Sequence, residues 1–109
     1  MKRGDVITVA LHGDLGKPRP AVVLESDRLA ATDHVLVCPG TSFLVKNGEP
    51  RRVLVMPDAH NGLRVPTQFQ ADKVNPARRD RCREVIGRLD EATMELISSR
   101  LIAILGLAD

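Results

Sequence analysis

Across the first three-quarters of the chain, glycine and proline cut the sequence into apolar runs of four to six residues, and helical periodicity appears only in the last fifth. Runs that short and that rich in β-branched residues make strands rather than helices. Val6 to Ala10, Ala21 to Leu24, Val35 to Cys38 and Arg51 to Met56 are the clearest, with Phe69 to Val74 and Val85 to Leu89 as weaker candidates. Ala21-Val22-Val23-Leu24 is apolar at every position, which predicts burial on both faces. His12 to Pro18 reads as loop, and Pro39-Gly40-Thr41-Ser42 as the point where strand pairing breaks. Asn47-Gly48 and Asn61-Gly62 read as tight turns, and Pro76 to Cys82 as a short helical turn.

The helix is bounded by its own signals. Asp90 is a good N-cap, because its carboxylate can accept from the free amides of the first turn. Leu89 and Met94 stand at the spacing of a hydrophobic staple. Met94, Ile97, Leu101, Ile104 and Leu105 fall on one face, and Gly106 suits the position just past the C-cap. Strands first and one helix last predict an α+β fold, a small antiparallel barrel carrying a C-terminal α-helix.

The 109 residues fit one domain spanning 1–109. With 43% hydrophobic and 28% charged residues, the chain is predicted to be globular rather than disordered. No apolar run approaches the roughly 20 residues that span a bilayer. The charged start, Met1-Lys2-Arg3-Gly4-Asp5, is not followed by the apolar stretch of a signal peptide, so a cytoplasmic protein with no membrane partner is expected. Cys38 and Cys82 are then two reduced thiols, Cys38 packed within a strand. Neither has a second Cys or His at ligand spacing, and no metal or other cofactor is expected.

The net charge is +2. Arg78, Arg79, Arg81, Arg83 and Arg88 crowd one stretch, which fits a solvated basic face and a phosphate-tracking surface equally well. Phe43 and Phe69 are the two aromatic residues, which counts against a base-stacking platform.

Two loops carry residues with chemical potential. In Lys17-Pro18-Arg19-Pro20, the second proline forces Arg19 into an extended conformation at the entrance to a buried strand. The bland reading is an arginine paired with a nearby carboxylate. The sharper one is a phosphate clamp, since the guanidinium fork matches two phosphate oxygens. In Cys38-Pro39-Gly40-Thr41-Ser42, two hydroxyls follow a Pro-Gly step. They serve either ordinary turn hydrogen bonding or the orientation of a phosphate or a reacting 2′-hydroxyl. His34 and His60 are read as structural or solvated, whereas His12, close to Arg19 in sequence, belongs to the residue type suited to proton transfer near neutral pH.

Several segments, in order along the chain, resemble the MazF/PemK-like family of type II toxin–antitoxin endoribonuclease toxins. They are Arg3-Gly4-Asp5-Val6, Arg19-Pro20-Ala21-Val22-Val23-Leu24, Val37-Cys38-Pro39-Gly40-Thr41-Ser42, Ala71-Asp72-Lys73-Val74, Ile86-Gly87-Arg88-Leu89 and Leu105-Gly106. The resemblance implies an SH3-like antiparallel barrel with a C-terminal helix, assembled as a homodimer with a groove for single-stranded RNA. It implies Arg19 and Thr41 as the catalytic pair with Ser42 beside them, and Asp14 as an acidic loop residue. Lys17, Arg78, Arg79 and Arg81 are the candidate RNA contacts. The implied partner is a cognate antitoxin whose acidic, disordered tail occupies the RNA groove.

The expected reaction is metal-independent attack by the RNA 2′-hydroxyl on the adjacent phosphate, leaving 2′,3′-cyclic phosphate and 5′-hydroxyl ends. The general base stays open: the resemblance implies arginine in proton transfer, although a guanidinium is a poor base, and Asp14 and His12 are the alternatives. Two rivals are weighed. A CcdB-like gyrase poison relies on a C-terminal tryptophan, whereas this chain ends Leu107-Ala108-Asp109 and has no Trp. A non-catalytic SH3-like module that binds RNA or protein would have no need of both Arg19 and Thr41.

Overall fold

A computed structural model of the chain describes residues 1–10, 17–46 and 48–109. The predicted site residues His12 and Asp14, and Asn47 of the first predicted turn, lie outside the described residues. Among the described residues, seven strands run in chain order: β1 Asp5–Val9, β2 Arg19–Val23, β3 His34–Thr41, β4 Arg52–Val55, β5 Thr67–Gln70, β6 Asn75–Arg78 and β7 Cys82–Arg88. The helix, α1, spans Glu91–Ile104. All pairings are antiparallel, in the spatial order β4-β5-β3-β2-β1-β7, with β6 also paired to β3. The expected α+β architecture of an antiparallel sheet with a C-terminal helix is what forms.

Alternation along the central strands splits the apolar residues between two cores, which is why Ala21-Val22-Val23-Leu24 needs no polar position. Val6, Val22, Cys38 and Phe69 face one cluster, completed by Val53, Leu89, Met94 and Ile97. Ile7, Val9, Ala21, Val23, Val35, Val37 and Ala77 form the other.

Strand β3 is longer than its sequence predicts. The pairing does not break at Pro39: Ala21 pairs with Pro39, Gly40 with Phe69 and Thr41 with Gln68. On the edge away from β2, β6 pairs His34 to Val37 and β5 pairs Gly40 and Thr41. Pro39 falls in the gap between them, where a residue without an N–H is tolerated. Gly40 is required by space: a Cβ there would stand 2.7 Å from Thr67 Cγ2 and 3.1 Å from Phe69 Cε1.

Two further boundaries differ from expectation. The run Phe69 to Val74 is not one strand: β5 ends at Gln70 and a 3-10 turn, Ala71–Lys73, carries the chain across the same gap to β6. Pro76 to Cys82 divides into β6 and a 3-10 turn at Arg79–Arg81. Proline fits β6 because that strand pairs with β3 alone.

The two end strands of the sheet, β4 and β7, meet through the turn that follows β4. Gly62 has φ +69°, as the Asn61-Gly62 signal predicts. A Cβ on Gly62 would lie 2.0 Å from the Ile86 carbonyl oxygen, and one on Gly87 2.2 Å from the Asn61 carbonyl carbon. The Arg88 N–H donates to the His60 carbonyl at 2.8 Å. Buried Asn61 holds the turn, its Nδ2 donating to the Met56 carbonyl at 2.9 Å and its Oδ1 accepting from the Leu63 N–H at 3.0 Å.

The helix begins as predicted. Asp90 accepts from the Thr93 N–H at 2.7 Å, and Leu89 and Met94 are both buried in the first core. It ends in a Schellman motif: Gly106 has φ +69°, its N–H donates to the Ala103 carbonyl, and the Leu107 N–H donates to the Ile102 carbonyl. The apolar face is shorter than its periodicity. Met94 and Ile97 are buried and Leu101 packs against the core, but Ile104 and Leu105 are exposed. The helix packs on β4 and the Ala71–Lys73 turn, and the chain's own sheet leaves its last turn uncovered.

Candidate active site

Arg19 opens β2 and is exposed, with exposed Lys17 two residues before it. Thr41 closes β3 and is half-buried, and Ser42 beyond it is exposed. The two segments come together through strand register. β2 and β3 pair Val23 with Val37, Val22 with Cys38 and Ala21 with Pro39. Continued by two residues, that register sets Arg19 opposite Thr41. Arg19 also pairs with Val9, Val9 with Cys82, and Thr41 with Gln68, which pairs with Leu54. One row thus crosses the sheet from Cys82 through Val9, Arg19, Thr41 and Gln68 to Leu54. By alternation Arg19 and Thr41 share the sheet face of Ala21, Val23 and Val37, at the margin of the second core.

The chain beyond Thr41 is held by groups the sequence reading missed. Gln68 is buried, and its side-chain amide grips the backbone of Val45 twice: Oε1 accepts from Val45 N–H at 2.9 Å and Nε2 donates to Val45 O at 2.8 Å. Arg52 Nη1 donates to the same Oε1 at 3.1 Å and to the Phe43 carbonyl at 3.3 Å. Thr41 Oγ1 accepts from the Phe43 N–H at 3.1 Å. The hydroxyl therefore does perform turn bonding, and among the described residues its own proton has no acceptor. The signal in sequence was Thr67-Gln68-Phe69-Gln70, a short strand with two long amides in it.

The basic run is not one surface. Arg78 pairs with Asp80 at 2.7 Å, Arg79 donates to the Thr32 carbonyl and faces Glu25 at 3.8 Å, and Arg88 pairs with Asp5 at 2.9 Å. Arg78 pairs opposite His34, at the other end of β3 from Thr41, which is about 23 Å of extended strand. Arg81 lies nearer the row: its carbonyl accepts from the Ala10 N–H at 3.4 Å, just past Val9, and its side chain is exposed.

Both thiols are pushed toward the neutral form. Burial, with Asp72 adding to it, pushes the Cys38 thiol up to about 12. Burial also raises Cys82, with Arg79 opposing and Asp80 assisting. Both are free. Among the described residues, no group of three or more His, Cys, Asp and Glu is arranged to hold a metal ion, and no helix is long and apolar enough to cross a membrane. A separate cleft of about 760 Å³ opens at the start of α1, where Asp27, Asp58, Asp90 and Glu91 outnumber Arg3 and Arg88. That acidic majority disfavours a polyanion, and the chemistry-bearing row lies elsewhere.

The sequence profile of a family described as PemK-like, MazF-like toxin of type II toxin-antitoxin system matches residues 2–105. A protein of Mycolicibacterium smegmatis named as a probable endoribonuclease MazF is 34% identical over 109 residues, covering 99% of each chain. A mycobacterial endoribonuclease solved in complex with its cognate antitoxin superposes with a TM-score of 0.77 at 23% identity, covering 98% of this chain and 96% of that one. The Mycobacterium tuberculosis toxin MazF-mt6 gives 0.75 at 22% identity, covering 94% and 96%. The structural likenesses establish the fold, and the profile match establishes the family.

Proposed function

The chain belongs to the PemK-like, MazF-like toxins of type II toxin–antitoxin systems, a family of endoribonucleases, and on that premise we propose that it cuts single-stranded RNA, in a sequence-specific and metal-independent way, at the Arg19–Thr41 row. The observation that supports the reading is the β2–β3 register, which, continued by two residues, sets exposed Arg19 and half-buried Thr41 at facing positions of neighbouring strands. The RNA 2′-hydroxyl attacks the adjacent phosphorus, its proton passes to a base, and the 5′-oxygen leaves with a proton. The products are a 2′,3′-cyclic phosphate and a 5′-hydroxyl end. Arg19 stabilises the charge that develops on the phosphorane oxygens, and Thr41, with Ser42 beside it, orients the phosphate. The base is sought between Asp14 and His12 by single alanine substitutions.

Lys17 and Arg81 supply backbone charge near the row, while the engaged Arg78 and Arg79 contribute less. The reading includes a homodimer working in the cytoplasm, inhibition of translation and growth, and a cognate antitoxin whose acidic tail competes with RNA. Leu96, Ile102, Leu105 and Leu107, exposed on and just beyond α1, support a covering subunit.

The test is incubation with a long single-stranded RNA in EDTA beside Arg19→Ala, with the ends mapped. Discrete cuts leaving 5′-hydroxyl ends, slowed about 10²–10³-fold in the variant, are expected for loss of one charge-stabilising donor. Intact RNA from a folded, antitoxin-free protein, or cutting of the matching DNA, overturns the reading.

A further inference from the structure

Of the chain's two aromatic residues, Phe69 is fully buried, whereas Phe43 is 82% exposed. A ring left in water forgoes most of the stabilisation that burial brings. Its backbone, however, is fixed on both sides. The Phe43 N–H donates to Thr41 Oγ1, its carbonyl accepts from Arg52, and two residues on, Val45 is gripped by the Gln68 amide. The ring is therefore presented outward from a tethered loop, and its Cα lies within about 7 Å of that of Thr41. Exposed Leu54 pairs with Gln68, the residue that anchors this loop.

We propose that Phe43 is a specificity-determining residue, the stacking platform for an unpaired base of the RNA next to the phosphate held by Arg19 and Thr41. This rests on the reading of the row as a ribonuclease site. Every base can stack on an aromatic ring, but with a strength that differs among bases, so one platform biases which sites are cut without reading them by hydrogen bonds. The cationic Arg52 beneath the loop and Arg19 across the row leave the neighbouring phosphates opposite positive charge. The scarcity of aromatics, which argues against a broad stacking surface, is compatible with a single platform at the one position where a nucleotide has to be immobilised.

The test uses the full chain. Because it has no Trp, Phe43→Trp installs a single fluorescent reporter while keeping a flat ring. A single-stranded RNA of a mapped site, made uncleavable by 2′-O-methylation at the scissile nucleotide, should quench that fluorescence saturably, and also when Arg19→Ala is added. Phe43→Ala should keep its unfolding temperature but lose roughly 5- to 150-fold in kcat/KM, the range for one base–aromatic stack, with a changed ranking of cut sites. Wild-type kcat/KM and site ranking in Phe43→Ala, or unquenched fluorescence with RNA bound by filter retention, overturns the assignment. So does conversion of Phe43→Ala to a smaller species in sedimentation, which would place the ring at a subunit contact. Failure of the wild-type chain to cut any RNA would instead sink the ribonuclease reading on which this one stands.

Discussion

Gly40→Ala tests the packing that allows β3 to run on to Thr41. The new methyl would stand 2.7 Å from Thr67 Cγ2, with the Phe69 ring edge at 3.1 and 3.3 Å. Forcing one carbon into a packed core costs typically about 1–3 kcal/mol. Gly40 does not have positive φ, so alanine suffers no backbone strain and recovers about 0.4–1 kcal/mol from the unfolded chain. The net expectation is a destabilisation of about 1.3 kcal/mol at mid-range and at most about 2.6 kcal/mol, or a fall of roughly 5 to 10 °C in Tm for a domain of this size. Thr67→Ser removes the closest methyl but keeps the hydroxyl that donates to the Val65 carbonyl at 3.0 Å. Alone it should cost about 0.5–1.5 kcal/mol, as for a deleted buried methyl. The double variant should then be little worse than Thr67→Ser, a coupling of at least about 0.5 kcal/mol. Urea denaturation with unchanged m-values measures all four proteins. A wild-type midpoint for Gly40→Ala, or a double variant equal to the sum of the singles, would refute the steric account.

Gln68→Leu should retain the fold but release Val45 and leave Arg52 holding only Phe43, cutting kcat about 10-fold or more because the loop after Thr41 loses its position; unchanged turnover would remove Gln68 from the site. In native protein at pH 8, a disulfide reagent should modify Cys82 faster and reach Cys38 only on unfolding, since burial holds the Cys38 thiol near 12. Two equally fast thiols would contradict that. Asp90→Ala should lower Tm at neutral pH. The Asp90 carboxyl is held below its ordinary 3.8 by its bonds to Thr93, so its contribution is present above that value and is lost as pH falls through the lower folded value. The Tm gap between Asp90→Ala and wild type should therefore narrow in acid, and a gap that widens would reverse the assignment.

Much of the fold was legible because local chemistry and tertiary role agree. Asp90, Leu89 and Met94 announce the helix start, Gly62 and Gly106 occupy positive φ where a turn and a C-cap require it, and the unbroken apolar run Ala21 to Leu24 is buried on both faces. What failed depended on neighbours distant in sequence. Pro39 and Gly40 look like breakers until β5 and β6 are seen to leave a gap at one and to fill the space beside the other. The outer end of α1 carries a helical apolar stripe, but nothing local says how far the sheet extends beneath it. At the site, Arg19 and Thr41 could each be singled out from their loops, yet only register brings them together. Gln68 had only a weak local sign, two long amides in one short strand, and Arg52 had none, because an amide that grips a loop reads in sequence much like any polar residue on a strand.

The row that unites Arg19, Thr41 and Gln68 joins segments far apart in the order of synthesis, and the sheet that carries it is closed by its last strand. A nascent chain displays Arg19 and Thr41 early, but until Cys82 to Arg88 emerge, β1 keeps an unpaired edge and the turn at Gly62 has no Gly87 backbone to seat against. The row is therefore assembled by topology rather than by any one segment, and a fragment ending before β7 would lack the Val9–Cys82 pairing at its outer end.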